Sequence, residues 1–167
     1  ALRRGDAEAR VRHHGRAFGG NASVLRSPGI YALDREGGDP RERVQRGAPL
    51  LVDADDVFTN HIHADDLARV CVAALFRAAP QRVYHASDDS TLKMGMHFDA
   101  VADAFGLPRA PRLPREALRA AVSAAQWSFM SESRRLDNTR LHRELRVGLV
   151  YPTPSSAWEK VKSRSRV

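Results

Sequence analysis

The 167 residues are 43% hydrophobic and 28% charged, too apolar for a disordered chain and suited to a globular one. That length fits one domain, or one domain with part of another. The formal net charge of +7 comes mainly from arginine spread along the chain with acids interleaved. This reads as a solvated surface, and only residues 160–166 resemble a basic nucleic-acid-binding arm. Cys71 is the sole cysteine, which excludes an intrachain disulfide and favours a reducing compartment; its neighbours Val70 and Val72 predict a buried, inert thiol. No apolar run nears the ~20 residues of a bilayer span, and no signal-peptide pattern opens the chain. The expectation is a cytoplasmic protein with no membrane partner.

In chain order, residues 3–18 are charged at most positions and read as an exposed helix ended by Gly19-Gly20. Residues 22–25 form a short apolar run with Val24 and predict a buried strand, stopped at Pro28-Gly29. Residues 32–49 are rich in Gly, Pro, Asp and Arg and predict a surface loop with a short helix over 40–46. Val57-Phe58-Thr59 reads as extended. Asp65 or Asp66 then caps a helix in which Leu67, Val70, Cys71, Ala74 and Leu75 share one face. Residues 82–86 read as a strand and 87–90 as a loop. Phe98, Val101, Ala102 and Phe105 mark a further amphipathic helix, terminated by Gly106 and Pro108. Pro114 starts a helix to about residue 125, Asn138 caps one with Leu141 and Leu145 inward, Pro152 and Pro154 end it, and the chain from Glu159 frays. Strands alternating with helices predict an α/β chain.

Three stretches carry a resemblance. They are Val24-Leu25-Arg26-Ser27-Pro28-Gly29-Ile30-Tyr31, His61-Ile62-His63-Ala64-Asp65-Asp66-Leu67-Ala68, and Arg135-Leu136-Asp137-Asn138 followed by Leu141, Glu144-Leu145 and Pro152. In order and spacing they resemble the extended short-chain dehydrogenase/reductases, the NAD-dependent epimerase/dehydratase family. The first looks like that family's late Rossmann strand and the turn beside the nicotinamide. The second resembles its His-Val-Asp-Asp-Leu-Ala helix entry, and the third its terminal segment. The glycine fingerprint that lets backbone amides approach a pyrophosphate is absent, so the chain reads as the C-terminal portion of such a protein. Arg4 stands where the family has its catalytic lysine, the matching tyrosine would fall before Ala1, and Thr59 stands near the position of an arginine that meets sugar-nucleotide phosphates.

The resemblance implies the end of a Rossmann-like dinucleotide-binding domain over residues 1–31. Residues 32–167 would form a smaller, mainly helical substrate-side lobe with interspersed sheet strands. It implies NAD or NADP as cofactor in the intact protein, with Ser27, Pro28, Gly29 and Ile30 lining the nicotinamide pocket. Tyr31, Asn60, His61, Arg134 and Arg135 would face a small hydroxylated or sugar-like substrate, with Arg4 as the catalytic candidate. His61 and His63 would share a face if on a strand, but no metal is expected. The activity implied is NAD(P)-dependent oxidoreduction or epimerisation in the intact protein. The alternatives are a non-catalytic dinucleotide sensor or scaffold and, third, a basic nucleic-acid-binding module. A homodimer is compatible with all of these.

Overall fold

The computed structural model describes residues 2–164, with side chains over 5–160. In chain order the elements are α1 (Leu2–Ala17), β1 (Val24–Arg26), β2 (Gly29–Tyr31), α2 (Pro40–Gln45), β3 (Leu50–Leu51), β4 (His61–His63) and α3 (Ala64–Arg77). There follow β5 (Val83–His85), α4 (Met94–Phe105), β6 (Arg112–Leu113), α5 (Arg115–Ala121), α6 (Ala124–Met130), α7 (Thr139–Arg143) and α8 (Pro154–Arg164). Every strand pair among the described residues is parallel: β1 with β5, β2 with β4, β3 with β6. Parallel partners cannot be joined by a tight turn, so each pair is separated by a long stretch of chain, and α3 follows β4 directly on the way to β5. This is the architecture of a Rossmann-like parallel sheet continued into a mainly helical lobe.

Register fixes which side chains meet. Gly29, Ile30 and Tyr31 lie opposite His61, Ile62 and His63. Because side chains alternate along a strand, Ile30 and Ile62 face one way and Tyr31, His61 and His63 the other. The isoleucine side joins a core with Val70, Tyr84, Leu141 and Leu145. Tyr31 joins a second core with Val44, Val101, Ala102 and Trp158. A third core around Leu50, Leu51, Met94, Leu118 and Met130 sits under β3.

Several expectations need correcting. Val57–Thr59 makes only an isolated antiparallel bridge, Phe58 to Lys93, and the strand begins at His61. Neither Asp65 nor Asp66 caps α3. The His63 Nδ1 accepts from the Asp65 amide at 3.2 Å. Asp66 is fully buried and accepts from the amides of Val150 and Tyr151, both at 2.8 Å. Cys71 is exposed, not buried, because the inner face of α3 runs through Asp66 and Val70. The helix expected over 114–125 breaks at Val122, and Ser123 starts α6 with a capping box to Gln126. Asn138 does not cap α7 with its side chain; the carboxylate of Asp137 accepts from the Thr139 amide at 2.9 Å. The helix with Leu141 ends at Arg143, well before Pro152, and Pro154 starts α8, which buries Ala157 and Trp158 and continues past Glu159, where fraying was expected.

Gly95 has a plain steric reason. A Cβ there would collide with the Arg112 guanidinium, which lies across the start of α4 and pairs with Asp99 at 2.6 Å. Gly106, at φ +63°, closes α4 in the left-handed conformation that glycine adopts at little cost.

Candidate functional site

The Ser27–Pro28 step carries the chain from β1 to β2, and the pairing of β2 with β4 sets this turn against residues 58–60. The Gly29 amide donates to the Asn60 carbonyl at 3.3 Å. Asn60 then holds a third segment. Its Nδ2 donates to the Arg134 carbonyl and its Oδ1 accepts from the Leu136 amide, both at 2.8 Å. The Arg134 amide donates to the Phe58 carbonyl at 3.2 Å, and the Phe58 amide to the Ser133 hydroxyl at 3.2 Å. Gly29, residues 58–60 and residues 133–136 therefore converge, although they lie far apart in sequence.

Around this convergence Ser27 is exposed and Pro28, Gly29 and Ile30 are half-buried. A Cβ on Gly29 would lie 3.4 Å from His61 Cδ2, ordinary contact distance, so packing within this chain does not by itself demand glycine. Arg134 pairs with Glu132. Arg135 lies over the Phe58 ring at 5.2 Å, with no carboxylate partner among the described residues. The side chain of Arg4 lies outside those described.

Tyr31 and His61 do not join this rim. They point inward to a buried polar layer under it. The His61 ring stacks on His97 of α4, centroids 3.8 Å apart, and His63 stacks on Tyr151 at 3.9 Å. Tyr31 meets His63 edge-on at 5.3 Å. The loop after β5 enters the same layer: the Asp88 amide donates to the His61 carbonyl at 2.8 Å, and Ser87 and Asp88 are both buried. Tyr31 Oη, His61 Nδ1, Ser87 Oγ, Asp88 Oδ2 and His97 Nδ1 find no hydrogen-bond partner among the described residues.

Such burial disfavours charge. It pushes His61 down to about 4. Burial, then repulsion by His61, holds His97 well below the usual imidazole range. Burial raises Asp88 to about 6, against the opposing hydrogen bonds from Ser90. Burial, with the charges of Asp88 and Asp66, drives the Tyr31 phenol above its ordinary value. Tyr31 is thus unsuited to losing a proton near neutrality. His97 and Asp88 were not picked out as site residues in the sequence, and Asp66 was read only as a helix cap; His97 stands three residues after Met94 and four before Val101, both buried, a spacing that marks the inner face of α4. Among the described residues, no group of three or more His, Cys, Asp or Glu is placed to hold a metal ion. No helix among them is long and apolar enough to cross a membrane.

No family model matches the sequence, and no curated protein does. Solved structures match over most of the chain. A conserved protein of unknown function from Silicibacter pomeroyi is 28% identical with a TM-score of 0.71, over 85% of this chain and 49% of its own. A nucleoside-diphosphate-sugar epimerase from Pseudomonas aeruginosa is 17% identical with a TM-score of 0.73, over 96% and 53%. The fold is that of the C-terminal part of an NAD-dependent epimerase/dehydratase. A human epimerase family protein solved with NADPH shares this epimerase fold at 18% identity and a TM-score of 0.70, over 86% of this chain and 49% of its own. The chain spans about half the length of each of these structures.

Proposed function

We propose that this chain is the substrate-side portion of an NAD(P)-dependent oxidoreductase or epimerase acting on a small hydroxylated or sugar-like substrate. The observation that carries the reading is the Asn60 clamp, which gathers the Pro28–Gly29 turn and the Arg134–Leu136 segment at one edge. In this reading residues 1–31 end the dinucleotide-binding domain and 32–167 form the substrate lobe. Ser27, Pro28, Gly29 and Ile30 line the nicotinamide side of the cleft. The bound cofactor supplies hydride exchange at a carbinol carbon. Asn60 holds the 134–136 segment in place, and Arg135 offers its guanidinium to an anionic group on the substrate. Tyr31 and His61 act from beneath, as the floor of the turn.

Arg4, at the position of the family's lysine, favours a second reading in which the protein binds a dinucleotide without turnover. The test is titration of the protein in its full natural length with NADPH and NADH, read as nicotinamide fluorescence. Enhancement is expected, and its absence with both cofactors refutes the cofactor reading. Binding without oxidation or reduction of any hydroxylated substrate in a broad panel selects the non-catalytic one.

A further inference from the structure

Helix α7 and the turn after it are tied to the loop following β5 by a polar cluster centred on His142. Both ring nitrogens of His142 meet acceptors. Nε2 lies 2.8 Å from a carboxylate oxygen of Asp89, and Nδ1 lies 3.0 Å from the Val147 carbonyl. The same Asp89 oxygen accepts from the Asn138 Nδ2 at 2.7 Å, and the Asp89 amide donates to the Pro152 carbonyl at 2.9 Å. A neutral imidazole carries one N–H and can serve only one of two acceptors; the imidazolium carries two and serves both.

We infer that His142 is a proton-operated latch: protonation fastens α7 and the turn up to Val147 to the loop after β5, and loss of the proton releases one of the two ties. The ring is 36% exposed, so solvent protons reach it without unfolding. Asp89 is the carboxylate the ring touches, and it favours the charged form. The other acids nearby are engaged elsewhere. Asp88 accepts from Ser90, Asp137 from Thr139, Glu144 from Tyr84 and Arg82, and Asp66 from the Val150 and Tyr151 amides. Of the cations, Arg140 reaches the Val83 carbonyl and Arg77 of α3 the Leu145 carbonyl, while Arg143 and Arg146 flank the ring in sequence and work against its proton. The docked arrangement offers the protonated ring two acceptors, so it binds the proton more tightly than the undocked one. Attachment is therefore strongest on the acid side of the histidine range and weakens as pH rises through it, from about 6 to 8. The loop so held carries Ser87 and Asp88 into the buried layer, and the Asp88 amide holds the His61 carbonyl. The latch thus reaches the floor of the candidate site without touching it.

Amide hydrogen exchange on the protein in its full natural length tests this, between about pH 5.5 and 8, with rates corrected for intrinsic exchange. The amides of Leu145 and Val147, which bond to the Arg140 and Leu141 carbonyls, report the latch, and Val101 in α4 reports the rest of the fold. Protection at Leu145 and Val147 relative to Val101 should fall about threefold to tenfold as pH rises, as for one hydrogen bond. His142→Gln keeps an amide donor but does not titrate, and should make the ratio flat. Asp89→Asn keeps the shape and removes the charge, and should shrink the fall. A ratio independent of pH in the parent protein overturns the inference, and so does a fall that survives unchanged in His142→Gln. If His142→Gln does not fold, Asp89→Asn decides by the same comparison, an unchanged fall again being the refutation.

Discussion

Asp88→Asn should change how stability depends on pH, because burial alters the titration of the side chain it replaces. Asp88 is buried and its folded-state pKa is raised to about 6, against about 3.9 in an unfolded chain. Between those values the folded state binds the proton more tightly, so stability falls as pH rises through this window. A displacement of about two pK units corresponds to about 3 kcal/mol, a cost carried in full at pH 7 and absent below pH 4. His61 works in the opposite direction. Its folded value is about 4, against about 6.5 unfolded. The unfolded state then binds the proton first, and stability is lost as pH falls from about 6.5 to 4, by about 3 kcal/mol. In the parent protein the two slopes oppose each other across pH 4 to 6. The substituted side chain would keep an Oδ1 to accept from the amide and hydroxyl of Ser90, as Asp88 does at 3.0 and 2.6 Å, while removing the titration. The stability advantage of Asp88→Asn over the parent should therefore be about 3 kcal/mol larger at pH 7 than at pH 4. His61→Gln should do the reverse, gaining on the parent as pH falls. His97 adds an acid-side loss common to parent and Asp88→Asn, and cancels in their difference. Urea unfolding at half-unit steps of pH reads this out, as a relative midpoint shift of about 1–3 M given a slope of about 1–3 kcal/mol per molar. A gap between Asp88→Asn and the parent that is constant with pH refutes the reasoning.

Two further substitutions probe the frame around the site. Asp66→Asn removes one of two charge-assisted acceptors for the Val150 and Tyr151 amides and should cost about 1.5–3 kcal/mol in urea unfolding; parent-like stability would mean these bonds do not hold the segment. Gly95→Ala should expel the Arg112 guanidinium from the start of α4, breaking its pair with Asp99. The destabilisation, about 1–3 kcal/mol, should shrink sharply when Arg112 is already alanine, a double-mutant cycle that a purely local helix effect would leave additive.

The three motif stretches placed the chain in its fold because each coincides with a topological necessity: a strand end, a helix entry, a closing segment. Helix α4 was legible from Phe98, Val101, Ala102 and Phe105, with Gly106 as its stop, because a twelve-residue helix repeats its period several times. The strands were harder. At three residues each, β1, β2 and β4 are too short for alternation to accumulate, so Val57–Thr59 looked as strand-like as His61–His63. Helix α3 misled for a different reason. Two apolar stripes overlap in its sequence, and joining Val70 with Cys71 and Leu75 merged the buried face with the exposed one. Asp66 shows a further limit. An aspartate in a first turn looks the same in sequence whether it caps its own helix or grips amides more than eighty residues away, and only the fold decides. The rim residues Asn60, Arg134 and Arg135 were picked out, but the buried layer beneath them was not: the period of α4 turns His97 inward, and only non-local packing brings Asp88 into the same layer.

The ties made by Asn60, Asp66 and Asn138 also set an order of assembly. Asn60 bonds to residues 134 and 136, Asp66 to 150 and 151, and Asn138 reaches back to the backbone carbonyls of Ser87 and Asp88. Closing loops this long costs entropy that is recovered only when the distant segment arrives. The β1–β5 and β2–β4 pairs lie wholly before residue 86, ahead of the segments that Asn60 and Asp66 grip. The last third of the chain supplies Leu141, Leu145 and Val147 to the core under β2 and β4, so these ties and that core are completed together.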